Sequence, residues 1–298
     1  MNIDEYLQQR ASIVEEALFR FLPEATAFPP VIHEAMHYSL SAGGKRLRPI
    51  LALAAGEAVG AQQYEPMLPL ACALEYIHTY SLIHDDLPAM DDDDFRRGKP
   101  SCHKVFGEGI AILAGDALLT YSFELLTKLA VPEGAYPESL VIQIIQQIST
   151  AIGTGGLIGG QVVDLQSEGR PVDLPTLEYI HRHKTGALFK TSILTGALLG
   201  GASSPQLEAL GRYADLLGLA FQITDDILDI EGDASLLGKP TGSDAKKQKA
   251  TYPSLLGMEE ARRTVEQCIS ESLDVLRGFS EKADPLRLLM TYIRNRNR

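Results

Sequence analysis

The 298-residue sequence contains no tryptophan and only three cysteines, Cys72, Cys102 and Cys268. An odd number of cysteines without metal-ligand spacing excludes a disulfide-stapled scaffold and predicts a protein of the reducing cytoplasm. Basic residues are also scarce, because 27 lysines and arginines stand against 39 aspartates and glutamates, for a net charge of −12. Nucleic acid is therefore not an expected partner, since a phosphate backbone binds a basic surface.

The sequence lacks a recognisable secretion signal and a clear membrane span. Asp4 and Glu5 come before any apolar run, whereas a signal peptide begins with basic residues and continues into an apolar segment. The longest uncharged stretch, Ser139–Val163, holds four glutamines and five glycines. That composition predicts a buried helical segment and not a helix that crosses a membrane.

Strictly alternating tracts of β-branched residues are missing too, while apolar residues recur at helical spacing along nearly the whole chain. Helices are expected over most of it, including one over residues 66–87 and one over residues 175–200. No low-complexity linker divides the sequence. We therefore predict an all-α fold formed by a single domain over residues 1–298, with its longest loop between Gly232 and Pro253.

A first acidic cluster follows the apolar, helix-like segment 71–83. Six aspartates occur within ten residues, namely Asp85, Asp86, Asp91, Asp92, Asp93 and Asp94. Like charges at this density repel one another, and divalent cations that prefer oxygen ligands, such as Mg²⁺, supply a counter-charge. Pro88 is expected to end the helix, so that Asp91 returns from a turn. The alternative is a solvated acidic helix end.

A second acidic cluster, formed by Asp225, Asp226 and Asp229, lies within the apolar stretch Leu216–Ile230. Asp225 and Asp229 are four residues apart and so share one face of a helix. Buried carboxylates require partners, and two such helices can hold metal ions between them, as in other helix bundles. A salt-bridged network in the core is the alternative for this cluster taken alone.

Basic residues occur in short groups. The loop Gly43–Pro49 carries Lys45 and Arg48 before a predicted helix start, where cations are unfavourable unless an anion lies between them and the backbone N–H groups. A solvated basic turn is the alternative. Arg96 and Arg97 directly follow the first acidic cluster. Their guanidinium groups either hold phosphate oxygens or pair with the neighbouring aspartates.

Two polar residues share helix faces with the aspartates. His78 is seven residues before Asp85 and so lies on nearly the same face, which favours a ligand-binding role as much as a structural one. Gln222 is three residues before Asp225 and either contacts a ligand or joins a polar network.

Other polar and small residues have less distinctive spacing. Lys184, Thr185 and Lys239 can supply further hydrogen-bond donors, but spacing alone does not select these lysines from the others. The five glycines of Gly153–Gly160 predict a close approach between helices or a kink, because glycine is costly in a helix interior.

Taken together, these residues identify a family. The chain resembles the short-chain trans-isoprenyl diphosphate synthases, most closely the bacterial farnesyl diphosphate synthases. Two aspartate-rich motifs and a glycine–lysine–arginine loop, in family order, carry the resemblance across nearly the whole chain. The matching stretches are Gly43–Pro49, Glu75–Asp94, Arg96–Lys99, Gly159–Leu165, Lys184–Gly186, Leu219–Asp229, Gly238–Pro240 and Lys249–Pro253.

The resemblance implies a bundle of long antiparallel helices around a deep central cavity, normally in a homodimer. It also implies prenyl diphosphates as substrates. In that chemistry an allylic diphosphate ionises, the double bond of isopentenyl diphosphate attacks the cation, and loss of a proton restores an allylic product. Several Mg²⁺ ions per active site are implied, with Mn²⁺ as a substitute.

The resemblance further implies roles for individual residues. Those implied to bind metal ions are Asp85, Asp86, Asp91, Asp225, Asp226 and Asp229. Those implied to hold the allylic diphosphate are Arg96, Lys184, Thr185, Gln222 and Lys239. Those implied to hold isopentenyl diphosphate are Lys45, Arg48, His78 and Arg97. The catalytic set drawn from these is Asp85, Asp86, Asp91, Arg96, Lys184, Asp225, Asp226 and Lys239.

The most detailed expectation from the resemblance is the chain length of the product. In this family a bulky residue just before the first aspartate motif forms the floor of the cavity. Tyr80 lies five residues before Asp85, about 7 Å along a helix, and Ser81 follows it. This arrangement resembles that of the farnesyl synthases and predicts a fifteen-carbon product. A geranylgeranyl or geranyl product is the alternative, as is a Tyr80 that belongs to an ordinary core.

Three other kinds of protein fit the sequence less well. A terpene cyclase shares the helical fold and the first motif but lacks an isopentenyl site, so Lys45, Arg48 and His78 argue against it. A catalytically silent subunit is expected to have lost aspartates, and this chain keeps both clusters. Loop-type calcium sites need glycine and alternating ligands, which neither cluster has.

Overall fold

The structure of the protein is a computed structural model that describes residues 1–131, 134–231 and 250–294. The predicted loop from Gly232 to Pro253 and the site residue Lys239 therefore lie wholly or mostly outside the described residues. In the described part the fold is all-α, as the sequence predicts, with one short β-hairpin.

The helices vary from five residues to 28 residues in length. In chain order the α-helices are α1 (Ile3–Phe21), α2 (Pro30–Leu40), α3 (Leu47–Val59), α4 (Leu68–Asp85), α5 (Cys102–Phe106), α6 (Glu108–Thr127), α7 (Glu138–Ile152), α8 (Leu157–Ser167), α9 (Leu174–Ile180), α10 (Ala187–Leu199), α11 (Ser204–Glu231), α12 (Tyr252–Leu256), α13 (Met258–Val275) and α14 (Asp284–Arg294). Strands β1 (Phe95–Arg96) and β2 (Lys99–Pro100) pair antiparallel. Short 3₁₀ turns occur at Glu65–Met67, Leu276–Gly278 and Glu281–Ala283.

The expected helix over 175–200 is not one continuous α-helix. A π-helical turn at His181–Gly186 separates α9 from α10. Helical spacing of apolar side chains does not distinguish a single π turn from the α-helix around it, which is why the sequence missed this feature.

The chain groups into two compact units. The first unit comprises Asp4–Leu53 and Gln63–Ile145, and the second comprises Met1–Ile3, Ala54–Gln62 and Gln146–Arg298. The first acidic cluster belongs to the first unit and the second cluster to the second unit. The expectation of one domain over residues 1–298 stays a prediction.

In the first unit, α4 lies in the core. Its side chains are buried on nearly all sides, and α6 packs along it, with the buried Gly115 of α6 next to His84. A methyl group on Gly115 would overlap the imidazole of His84, so glycine permits this close approach. The Tyr76 hydroxyl donates a 2.6 Å hydrogen bond to the Leu18 carbonyl of α1. These contacts fix the end of α4, where the first acidic cluster begins.

In the second unit, the 28-residue helix α11 packs against α10 and α13. Phe189 of α10 meets Phe221 of α11 edge to face at 5.0 Å between ring centroids. Tyr213 is fully buried, and its hydroxyl donates a 2.7 Å hydrogen bond to the Leu286 carbonyl of α14. The second acidic cluster lies on the C-terminal part of this anchored helix.

Two helical segments of the described residues, Glu108–Thr127 and Glu138–Ser167, are long and apolar enough to cross a membrane by length and composition alone. Core helices of soluble proteins meet the same criterion, and a turn divides the second segment between α7 and α8. The second segment includes the uncharged stretch Ser139–Val163. That stretch is only partly buried, because Ile144 is inaccessible while Ile142 is 66% exposed.

Candidate active site

The first acidic cluster begins where α4 ends. Asp85 is the last helical residue, and Asp86 caps the helix with its backbone still in the α region. The chain then turns, and the Asp91 N–H donates a 2.8 Å hydrogen bond to the Asp85 carbonyl. Asp91 thus returns to the end of the helix, in agreement with the effect expected of Pro88.

Asp86 is 2% exposed and forms an ion pair with Arg96. Arg96 Nε donates a 2.9 Å hydrogen bond to Asp86 Oδ1, and a second guanidinium nitrogen contacts the same oxygen. Burial raises the pKa of Asp86 above its ordinary value, although Arg96 opposes that shift. Pairing with an aspartate is the alternative that the sequence left open for Arg96, and it is the arrangement seen in the structure.

The hairpin formed by β1 and β2 brings Arg97 to the loop Gly43–Pro49, called the glycine loop below. Its turn residues Arg97 and Gly98 have φ of 54° and 77°, as a tight two-residue hairpin turn requires. The Arg97 guanidinium donates a hydrogen bond to the Gly43 carbonyl. A methyl group on Gly44 would overlap this guanidinium, so the glycine leaves room for the arginine.

Positive charge converges on His78. Burial lowers the pKa of the His78 imidazole well below its ordinary value, and the guanidinium groups of Arg48, Arg97, Arg96 and Arg46 lower it further. The imidazole is therefore neutral near pH 7 and surrounded by cations, a combination suited to binding an anion. Lys45 is exposed in the adjoining loop.

Tyr80 lies inside the first unit, one helical turn before the acidic cluster. It is 5% exposed, and its ring meets His84 edge to face at 5.8 Å. Its buried hydroxyl has no hydrogen-bond partner among the described residues, and burial raises its pKa to about 12. Ser81 is bonded locally, through a 2.9 Å hydrogen bond from its hydroxyl to the His78 carbonyl. The tyrosine thus contributes bulk without a polar anchor.

A group of ligand-type side chains that the sequence did not single out lies beside this cluster. Ligand atoms of Asp92, Asp94 and His103 are within 4.8 Å of one another. Neither predicted aspartate triplet meets this criterion among the described residues. The Lys104 ammonium group already balances part of the negative charge of this group, because Lys104 Nζ is 2.7 Å from Asp94 Oδ1.

In the second unit, α11 presents the second acidic cluster. Asp226 and Asp229 are 6% and 3% exposed, whereas Asp225 is half-buried. The Tyr252 backbone N–H donates a 2.8 Å hydrogen bond to Asp226 Oδ2. The Thr251–Ser254 capping box holds the start of α12, so this N–H is fixed in direction.

A cavity of about 210 Å³ opens beside α11. It gathers several residues that the sequence singled out for different reasons. They are Lys184, Thr185, Gln222, Asp225 and Asp226. Asp164, His181 and Thr251 line the same cavity, although the sequence assigned them no role. Asp164 lies in Gly159–Leu165, one of the stretches that carry the family resemblance. That position could have marked it as a site residue.

The π turn positions Lys184. Its ammonium group donates a 2.6 Å hydrogen bond to Asp164 Oδ2 of α8, and both side chains are largely buried. A methyl group on Gly160 would overlap the backbone of Lys184, so the glycine lets α8 approach the turn. Close helix approach is the explanation that the sequence favoured for the glycine-rich stretch, and Gly160 confirms it. π turns are rare and occur often at functional sites.

His181 begins the π turn and is 7% exposed. It stacks on the Tyr252 ring with 5.5 Å between centroids. Burial lowers the pKa of His181 to about 4, and Asp164 opposes this shift only in part. The imidazole is therefore neutral at ordinary pH, and Lys184 is the cation that the described residues supply to the lining of the cavity.

Comparison with known proteins decides the family, because residues 29–284 match the polyprenyl synthetase family. This chain belongs to the polyprenyl synthetase family. It is 49% identical over 297 residues to a geranylgeranyl diphosphate synthase of Cyanophora paradoxa, covering 99% of this chain and 97% of that protein. It is 50% identical over 262 residues to the farnesyl diphosphate synthase of Geobacillus stearothermophilus, covering 88% and 87%.

Solved structures agree with this assignment to the polyprenyl synthetases. The crystal structure of a FPP/GFPP synthase from Zymomonas mobilis matches with a TM-score of 0.86 at 37% identity, covering 98% of this chain and 99% of that one. The resemblance to short-chain trans-isoprenyl diphosphate synthases is thereby confirmed, and the protein is a prenyltransferase.

Proposed function

We propose that this polyprenyl synthetase joins isopentenyl diphosphate head to tail with dimethylallyl and then geranyl diphosphate to give farnesyl diphosphate. The cavity that gathers Lys184, Thr185, Gln222, Asp225 and Asp226 is the observation that carries the proposal. It combines carboxylates for metal ions with fixed donors for a diphosphate. A ligand set of this kind suits a reaction in which a diphosphate leaves.

Mg²⁺ fits the donor chemistry of both acidic clusters, since their ligands are carboxylate oxygens. In the first unit Asp91 folds back onto Asp85 through a 2.8 Å backbone hydrogen bond, but the ligand atoms of the triplet are not all within 4.8 Å of one another, so a shared ion requires these side chains to move together. The residues that would hold Mg²⁺, or Mn²⁺ in its place, are Asp85, Asp86, Asp91, Asp225, Asp226 and Asp229. When bound, the ions act as Lewis acids that neutralise charge on the leaving diphosphate.

The allylic diphosphate is held by fixed positive charge. Lys184 suits this role because Asp164 orients its ammonium group at 2.6 Å inside the cavity. Donors that are oriented before the reaction stabilise developing negative charge without further reorganisation. Thr185, Gln222 and Arg96 add hydrogen bonds in this proposal, and Lys239, outside the described residues, adds a further charge.

Isopentenyl diphosphate occupies the cationic group around His78. Arg48 and Arg97 supply charge, and the neutral imidazole donates a hydrogen bond to a phosphate oxygen. Lys45 adds a flexible ammonium group from the loop. This pocket needs no metal ion, because its own side chains balance the charge of the diphosphate.

Tyr80 supports the fifteen-carbon product. Relatives of nearly equal identity bear different product names, geranylgeranyl for one and farnesyl for the other, so overall similarity does not decide product length. A buried tyrosine five residues before Asp85 limits the depth available to the growing chain. A geranylgeranyl product is the alternative, favoured by the name of the Cyanophora relative.

The experiment is incubation of the full chain with isopentenyl and dimethylallyl diphosphates and Mg²⁺, followed by chromatography of the dephosphorylated products. We expect farnesol from the wild type and longer alcohols from Tyr80→Ala. Tyr80→Phe is the matched control, because it keeps the bulk and removes only a hydroxyl without a partner among the described residues. Unchanged product length in Tyr80→Ala would contradict the floor role. No elongation by the wild type would contradict the function itself.

The family resemblance also supports a homodimer that works in the cytoplasm. Light scattering of the purified chain tests the dimer, for which twice the 32.4 kDa chain mass is expected. A monomeric mass at working concentration would contradict it.

A further inference from the structure

A buried ion pair lies beneath the glycine loop. Arg46 is 2% exposed and Glu75 is 1% exposed, and Arg46 Nη1 donates a 2.7 Å hydrogen bond to Glu75 Oε1. Burying two charges costs several kcal/mol of desolvation, so such a pair rarely improves stability over apolar residues of similar size. Stability alone is therefore a weak reason for this pair.

Arg46 connects the loop to three helices. Besides Glu75 of α4, its guanidinium donates a 2.7 Å hydrogen bond to the Leu40 carbonyl at the end of α2. Its Nε lies 3.6 Å from a carboxylate oxygen of Glu15 in α1. Arg46 itself has φ of 50°, a left-handed conformation that side chains other than glycine rarely adopt. Its guanidinium contacts hold the loop in this conformation.

Glu75 also acts on the cations around His78. It lies three residues before His78 on α4, on the same helix face. Burial lowers the pKa of Arg48 to about 10, and Glu75 is the group that opposes the fall. Burial likewise lowers the pKa of Arg97, and Glu75 again opposes it. One buried carboxylate thus offsets part of the repulsion between these two close guanidinium groups.

We propose that Arg46 and Glu75 are positioning residues for the isopentenyl diphosphate pocket, which fix the loop and orient Arg48 and Arg97 before the substrate arrives. The inference rests on the proposed function, since it names which of the two diphosphates the pair serves. Neither residue touches the substrate. Their effect passes through Arg48, which is two residues from Arg46, and through Arg97, which binds the Gly43 carbonyl.

The test compares the KM values of the two substrates in Glu75→Gln. We expect the KM for isopentenyl diphosphate to rise roughly ten- to a hundredfold, as when one partner of a buried charge pair is lost. The KM for dimethylallyl diphosphate should stay within about twofold, because its proposed donor Lys184 lies in the second unit and Arg96 pairs with Asp86 and not with Glu75. Glu75→Asp, which keeps the charge, should recover part of the loss. Glu65→Gln is the control, since Glu65 pairs with Arg20 at the surface.

The double variant Arg46→Met/Glu75→Met distinguishes the proposed positioning role from a purely structural one. Apolar replacement of both partners preserves packing and often stability, so this variant should fold. We expect it to keep the KM defect for isopentenyl diphosphate. Normal KM in a folded double variant, or equal KM changes for both substrates in Glu75→Gln, would overturn the inference. Lack of isopentenyl turnover in the wild type would instead overturn the proposed function.

Discussion

The two acidic clusters have similar sequences but different surroundings. The first lies where α4 ends, and its buried member Asp86 is bonded to the side chain of Arg96. The second lies within α11, and its buried member Asp226 accepts a hydrogen bond from a backbone N–H, that of Tyr252. One carboxylate is thus balanced by a charged side chain and the other by a backbone N–H group.

The kind of partner that each buried aspartate has indicates how its cluster responds to a ligand. The guanidinium of Arg96 can turn from Asp86 to an arriving anion only if a cation replaces it at Asp86, because a buried carboxylate without a partner costs several kcal/mol. The N–H of Tyr252 cannot move without disturbing the capped start of α12. We therefore expect the first cluster to rearrange on binding and the second to keep its geometry.

The largest effect is expected from neutralising an aspartate in each cluster. Asp85→Asn and Asp225→Asn should each reduce kcat roughly a thousandfold if the two residues bind metal ions as proposed, since loss of a metal ligand removes several kcal/mol of transition-state stabilisation. Thermal unfolding should change little. Steady-state kinetics with Mg²⁺ measure both variants. Asp215→Asn is the control on α11, because Asp215 is exposed and pairs with Lys190. Full activity in either cluster variant would remove that cluster from the reaction.

A smaller effect, on stability, is expected from the buried imidazole of the second unit. The pKa of His181 is about 4 in the folded protein and about 6.5 when unfolded. As the pH falls, His181 binds a proton in the unfolded chain before it does so in the folded protein. The free energy of unfolding therefore decreases between pH 6.5 and pH 4, by ~3 kcal/mol for this residue. His78 of the first unit should act in the same direction.

Urea unfolding of the wild type and of His181→Gln at pH 7 and at pH 4 measures this contribution. The difference between the two proteins should shrink or reverse on acidification, because the variant has no imidazole to protonate. His78→Gln shows whether the first unit is equally acid-sensitive. A wild-type-to-variant difference that is the same at both pH values would contradict the assigned pKa.

The sequence predicted what depends on local chemistry. Clustered aspartates, a proline after a helix end and apolar helical spacing led to the all-α fold and to the return of Asp91, whereas only the family resemblance grouped Lys184 with Gln222. These features follow from residue type and short spacing. Their partners in space were harder to infer, and the alternatives for Arg96 stayed open until its bond to Asp86 was seen.

The sequence missed what depends on distant pairing. Arg46 and Glu75 are 29 residues apart, and nothing in either segment marks them as partners. The π turn at His181–Gly186 is invisible to a helical pattern, and its position depends on the close approach of Gly160 from another helix. Tertiary contacts of this kind override local propensity.

The smallest effect is expected from the cap that holds the N–H at Asp226. Thr251 accepts a hydrogen bond from the Ser254 N–H, and Ser254 accepts one from the Thr251 N–H. Thr251→Ala should cost about 1 kcal/mol of stability and lower kcat less than tenfold, because the N–H loses direction without leaving. Thr251→Ser should behave as wild type, since a serine hydroxyl rebuilds the cap. If serine and alanine were equally harmful, the backbone cap would not be what fixes Asp226, and the contrast with the Arg96-held cluster would fail.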